Sequence, residues 1–226
     1  MKDYFSQNNI NGVIFDCDGV LVDSEKLSCG ALNVVFEKYF QVDIGTNYSP
    51  VIGKALKDSF AYYLKTFNIQ LPKDFDLNEL YKEKDLAYQK LARNKLKPFP
   101  GVTQLLTFLK QMHITVAVAS SGTHEKIKFN LKQGKLQNYF TIITSADEVK
   151  NGKPNPDLFL LSAQKMNIDP KNCLVIEDSV LGIKAAKLAN MLAIGVTNTF
   201  DEKSLADAGA DRIVIRVDEL FQLLKI

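Results

Sequence analysis

Four short runs of β-branched and apolar residues, each cut off by a polar or glycine-containing turn, constrain this chain more than any other feature. They are Val13 to Phe15, Ile114 to Ala119, Leu174 to Ile176 and Leu192 to Val196. Continuous apolar runs of this length are the signature of parallel strands covered on both faces. Between them lie segments with helical spacing: Val102 to Met112, Glu125 to Leu131, Pro156 to Met166 and Val180 to Leu188. Each suits a crossover helix, and the strand-helix-strand repetition predicts an α/β fold, a doubly wound, mainly parallel sheet. A chain of 226 residues with 46% hydrophobic content can bury such a core.

The stretch from Ser24 to about Lys97 breaks the rhythm, being long, charged and helical in pattern without a buried strand. Pro98, Pro100 and Gly101 punctuate its exit. The expected organisation is a catalytic core of residues 1–23 and 98–226, with residues 24–97 inserted as a helical cap. An insert leaving after the first strand and returning before the second sits above the carboxyl ends of the strands, where open α/β sheets bind ligands.

Charge excludes several function classes. The net charge of +2 comes from acids and bases spread along the chain, which favours neither a nucleic-acid face nor a membrane-surface patch. No apolar run reaches the length of a bilayer span, and Met1 to Ile10 lacks the pattern of a secretion signal, so a cytoplasmic location is expected. Cys17, Cys29 and Cys173 are odd in number and lack metal-ligand spacing; packing as reduced thiols is the expectation.

Four segments carry chemistry. The first strand runs into Asp16-Cys17-Asp18-Gly19, which places two carboxylates at the strand's carboxyl end before an immediate turn. One aspartate can attack phosphorus and a second can protonate the leaving oxygen, so Asp16 is the candidate nucleophile and Asp18 the candidate acid and base. The bland alternative is an aspartate that caps the turn. The second strand ends in Ser120-Ser121-Gly122, where a hydroxyl and free backbone donors can hold a phosphate oxygen or cap a helix. Lys153 lies in a turn stiffened by Pro154 and Pro156, suited either to neutralising a phosphate or to ordinary solvation. The fourth segment, Val175-Ile176-Glu177-Asp178-Ser179, ends a buried strand in adjacent acids. Asp16, Asp178 and the Asp18 carbonyl form a candidate shell for Mg2+, with Glu177 acting through water; helix capping by Asp178 or Ser179 is the alternative.

Taken in order, Asp16-x-Asp18-Gly19, Ser120, Lys153 and Glu177-Asp178 resemble the four signature motifs of the haloacid dehalogenase-like hydrolase superfamily. The insert further resembles the cap of the subgroup containing beta-phosphoglucomutase, phosphoglycolate phosphatase and sugar-phosphate phosphatases. The resemblance implies a magnesium-dependent phosphatase acting on a small phosphorylated metabolite through an aspartyl-phosphate on Asp16. It gives Asp18 as acid and base, Ser120, Ser121 and Lys153 as phosphate holders, and Asp178 as a metal ligand supported by Glu177. Asp18 argues for phosphate chemistry, because the superfamily's dehalogenases lack a second aspartate.

Gly53-Lys54-Ala55-Leu56-Lys57-Asp58 resembles the family's substrate-specificity loop, which makes Gly53, Lys54, Lys57 and Lys84 candidate substrate contacts. A solvated side chain is the competing expectation for each lysine. Two other functions compete: a phosphosugar mutase using the same intermediate, and a non-catalytic metabolite-binding protein on the same fold. Beta-phosphoglucomutase carries a histidine that couples cap closure to the general acid where this chain has Ser28, and a hydroxyl does not replace an imidazole near neutral pH.

Overall fold

The computed structural model describes residues 4–225. Residues 1–3 and 226, which the expected core range includes, lie outside the described residues. Six strands form one parallel sheet: β1 (Gly12–Phe15), β2 (Thr115–Ser120), β3 (Ile142–Ser145), β4 (Cys173–Glu177), β5 (Leu192–Val196) and β6 (Arg212–Val214). The helices in chain order are α1 (Tyr4–Asn8), α2 (Glu25–Phe40), α3 (Leu56–Thr66), α4 (Leu77–Ala92) and α5 (Val102–Gln111). They continue with α6 (His124–Gln133), α7 (Asp157–Met166), α8 (Val180–Leu188), α9 (Glu202–Asp207) and α10 (Val217–Lys225). The α/β expectation is met, and the four strands and four crossover helices fall where the apolar periodicity puts them.

The strand order β3-β2-β1-β4-β5-β6 fixes the location of the site. After β1 the chain winds outward through β2 and β3, then crosses to build β4, β5 and β6 on the other side of β1. The direction reverses between β1 and β4, and a crevice opens there at the strands' carboxyl ends. In register, Phe15 lies beside Ile176, so the residues that follow the two strands emerge together.

Alternation along the strands builds two apolar layers. Val13, Phe15, Leu174 and Ile176 join one cluster, while Ile14, Cys173 and Val175 join the other. All three cysteines are buried free thiols, as their spacing led one to expect. The edge strands β3 and β6 were not among the runs read from sequence; each is short and partly exposed, so it lacks the apolar run that marks the interior strands.

Helices α2 and α4 pack on each other and, with α3, bury a separate cluster around Leu32, Val35, Phe36, Phe60, Tyr63 and Leu80. Asp76 caps α4 by accepting from Asn78 N at 2.9 Å. The two connections to this helical unit run side by side. Val22 bridges Pro98, and Phe99 N donates to Leu21 O at 3.1 Å. Tyr88, Ala92 and Leu96, at the end of α4 and beyond it, join the core's cluster instead.

Candidate active site

The carboxyl ends of β1, β2 and β4 deliver Asp16, Asp18, Ser120, Ser121, Glu177 and Asp178 to one crevice, and the turn before α7 adds Lys153. The solvated reading of Lys153 does not hold. Its ammonium is buried, 2.7 Å from Asp16 Oδ1 and 2.7 Å from Glu177 Oε1. Burial alone would lower the Lys153 pKa, but the Asp16 and Glu177 carboxylates outweigh it and raise it, so the ammonium stays protonated. Asp16 is raised as well: burial and the neighbouring Glu177 and Asp18 outweigh Lys153 and push it up to about 8.

The acids after β4 are divided by their hydrogen bonds. Ser179 supplies the α8 cap, accepting from Gly182 N at 3.0 Å, so Asp178 is not used for capping. Glu177 is saturated: Oε2 accepts from the backbone N–H groups of Asp178 and Ser179, and Oε1 from Lys153 and the Ser179 hydroxyl. Its two oxygens therefore orient the loop. Asp178 takes a hydrogen bond from Thr199 on Oδ2. Burial, then Glu177 and Asp16, raises the Asp178 carboxyl well above the usual range. One oxygen from each of Asp16, Glu177 and Asp178 falls within 4.8 Å of the others. A Cβ at Gly19 would overlap the Asp178 carboxylate, and one at Gly182 would overlap that of Glu177, so both acids occupy space that only glycine leaves.

Asp18 faces away from that cluster. Ser24 and Asn130 donate to its Oδ1, the latter at 2.9 Å, and Lys126 Nζ lies 2.8 Å from Oδ2. Burial alone would raise Asp18, but Lys126 and the Ser24 hydroxyl hold it below the ordinary carboxylate range. Ser120 also reaches Asp18 Oδ2 at 3.4 Å and accepts from Gly122 N at 3.2 Å. The capping alternative for these serines fails, because Thr123 caps α6 through Lys126 N. Lys126, Asn130, Ser24 and Thr199 were not read from the sequence. Lys126 and Asn130 sit beside Ile127 and Leu131 at helical spacing, a polar interruption of an apolar face that was there to be noticed. Thr199 follows a buried strand, as the other motif residues do.

A model of the haloacid dehalogenase-like hydrolases matches residues 13–196, spanning all four motif segments. The chain belongs to that family. It is 32% identical over 218 residues to a phosphorylated carbohydrates phosphatase of Thermotoga maritima, covering 96% of this chain and 99% of that one. It is 33% identical over 187 residues to a fructose-1-phosphate phosphatase of Escherichia coli, covering 82% of this chain and 95% of that one. Among solved structures, a beta-phosphoglucomutase of Clostridium difficile superposes with a TM-score of 0.83 at 28% identity, covering 93% of each chain. The expectation of a phosphatase within the haloacid dehalogenase-like hydrolases is met by these relatives.

In this haloacid dehalogenase-like hydrolase the helical segment between β1 and β2 lines one side of the crevice. Ser121 Oγ donates to Gly53 O at 2.9 Å, so that hydroxyl joins the helical segment to the core. Thr123 Oγ1 donates to Asp85 at 3.1 Å. Of the cap candidates, Gly53, Lys54 and Lys84 line the cavity, whereas Lys57 is exposed and does not. Lys54 is half-buried, with its ammonium 5.3 Å from the Tyr62 ring centroid. The solvated reading of Lys84 is corrected: it is 4% exposed and donates to Ser28 Oγ at 3.0 Å, because α4 turns that face onto α2. Burial and the neighbouring Lys126 lower Lys84 to about 8.

Lys153→Met is expected to destabilise the fold by about 3–5 kcal/mol, because it leaves Asp16 and Glu177 buried without their cation. Urea unfolding of the two proteins measures the difference.

Proposed function

We propose that this hydrolase releases inorganic phosphate from a small phosphorylated metabolite, a sugar phosphate in the first instance, through an aspartyl-phosphate on Asp16. The observation that carries the reading is the contrast between two buried carboxylates on one turn. Asp16 stands in the acid cluster against Lys153, and Asp18 is held by Lys126, Asn130 and Ser24 beside the insert. The two carboxylates are held by different partners on opposite sides of one turn, which leaves each free for a separate role.

The oxygen-only donor set fits magnesium: Asp16, Asp178 and the Asp18 carbonyl would hold it, while Glu177, expected to act through water, has both oxygens taken and instead orients the loop that carries Asp178. Bound there, the ion would offset the negative charge of phosphate and carboxylates. Lys153 holds Asp16 Oδ1, which leaves Oδ2 to attack phosphorus. The ester's phosphorus–oxygen bond breaks, and the departing oxygen takes a proton from Asp18, which is ionised in the free protein and gains that proton from solvent as substrate binds. Asp18 then takes a proton from water, whose oxygen attacks the aspartyl-phosphate, freeing phosphate and regenerating the Asp16 carboxylate. Ser120 and the Ser121 backbone hold the phosphate oxygens. Residues 24–97 serve as the cap, with Lys54 and Lys84 available to the rest of the substrate. The names of the phosphatase relatives support a phosphorylated carbohydrate.

The likeness to a beta-phosphoglucomutase favours a mutase as the second reading. Ser28 argues against it. The residue lines the cavity and accepts from Lys84, so a hydroxyl stands where an imidazole would couple closure to the acid. Water is expected to intercept the aspartyl-phosphate once the cap opens. Incubation with beta-glucose 1-phosphate, with and without the bisphosphate activator, separates the readings. Phosphate release without glucose 6-phosphate is the expected result; rapid isomerisation with negligible release would replace the phosphatase by the mutase.

A further inference from the structure

Helix α6 gives two of its core-facing positions to polar side chains. Its buried residues are Lys126, Ile127, Asn130 and Leu131, and positions 126 and 130 lie one turn apart on one face. Buried amides and ammonium groups are costly without partners. Both of these end on the same carboxylate, Lys126 on Asp18 Oδ2 and Asn130 on Oδ1. Holding each oxygen separately fixes the plane of the carboxylate as well as its position.

Asn130 has a second partner, on the insert. Tyr88 of α4 donates its hydroxyl to Asn130 Oδ1 at 2.6 Å. The direction of this chain of bonds follows from chemistry: an ionised Asp18 only accepts, so the Asn130 amide nitrogen must face it and the amide oxygen must face Tyr88. Tyr88 is fully buried, where a phenylalanine ring would fill nearly the same space, and the hydroxyl has this hydrogen bond to make. Neither Asn130 nor Tyr88 lines the cavity.

We propose that Asn130 and Tyr88 are positioning residues that aim Asp18 at the leaving oxygen, with Tyr88 making that aim depend on how the cap helix α4 is seated. The inference rests on the reading of Asp18 as acid and base. It gives the chain a link between cap and general acid through α4, where Ser28 on α2 provides none.

The test is leaving-group dependence, which packing alone does not alter. A nitrophenolate leaves without a proton, whereas an alkoxide needs one, and kcat/KM reports the step in which it leaves. Asp18→Asn, Asn130→Ser and Tyr88→Phe are compared with the parent enzyme on p-nitrophenyl phosphate and a simple alkyl phosphate, with magnesium. Asp18→Asn is expected to lose about 100-fold or more on the alkyl ester relative to the aryl ester. Asn130→Ser is expected to show the same skew at about 10-fold, and Tyr88→Phe at about 3-fold, as small losses of alignment produce. Equal losses on the two esters for both variants, with Asp18→Asn skewed, would overturn the positioning role while leaving Asp18 in place. Absence of skew in Asp18→Asn itself would remove the acid role and this inference with it. If Asn130→Ser does not fold, Tyr88→Phe decides, since it keeps the buried ring.

Discussion

Asp16→Asn is expected to abolish phosphate release, lowering kcat by about 10⁵-fold or more, with no phosphoenzyme formed. Asparagine keeps the shape of the side chain and still offers Lys153 an oxygen, so the loop after β1 retains its hydrogen bond at 153. The amide lacks the electron-rich oxygen that attacks phosphorus. Asp18 stays in place, held from Ser24, Lys126 and Asn130, and has no route to replace a nucleophile on the other side of the turn. Rapid-quench samples of the parent enzyme should carry one added phosphoryl group by mass spectrometry, and those of Asp16→Asn none. Near-normal single-turnover release by the folded variant would end the covalent reading.

Removing divalent metal is expected to silence the enzyme by about 10³-fold or more, and adding magnesium back to restore it. Like charges about 4 Å apart repel by about 4 kcal/mol at the effective dielectric of a protein site. The crevice already gathers oxygens of Asp16, Glu177 and Asp178 within 4.8 Å of one another. Lys153 offsets part of that charge, bound to Asp16 and Glu177 rather than to Asp178. A phosphate dianion entering beside them meets a deficit of positive charge that a single ammonium does not cover. The measurement is turnover of a sugar phosphate after exhaustive chelation, with metal content verified and magnesium then titrated back. Full activity in the metal-free protein would remove the metal from the mechanism.

The motif residues were legible because a parallel strand announces itself locally. A run of buried β-branched residues ends where the sheet ends, so the polar residues after Phe15, Ala119 and Ile176 had to emerge at the same edge whatever the details of packing. The helices between β1 and β2 were legible for the complementary reason, a long helical stretch without such a run. Side-chain partnership was not, since it joins residues far apart in the chain. Lys84 looks like any surface lysine in sequence and Lys126 shows only as a polar residue beside Ile127; the packing of α4 on α2, and of α6 beside α4 and β3, takes them out of water and sets them on Ser28 and Asp18. The capping serine is a similar case, because Ser179 and Asp178 are adjacent and equally able to cap, and the backbone geometry at the start of α8 chose Ser179. Local pattern thus determined the fold class and the carboxylates at the strand ends, since strand burial and helical spacing are properties of neighbouring residues. Tertiary structure alone decided which charge meets which, because a buried ion pair depends on two surfaces meeting and neither segment encodes the other's face.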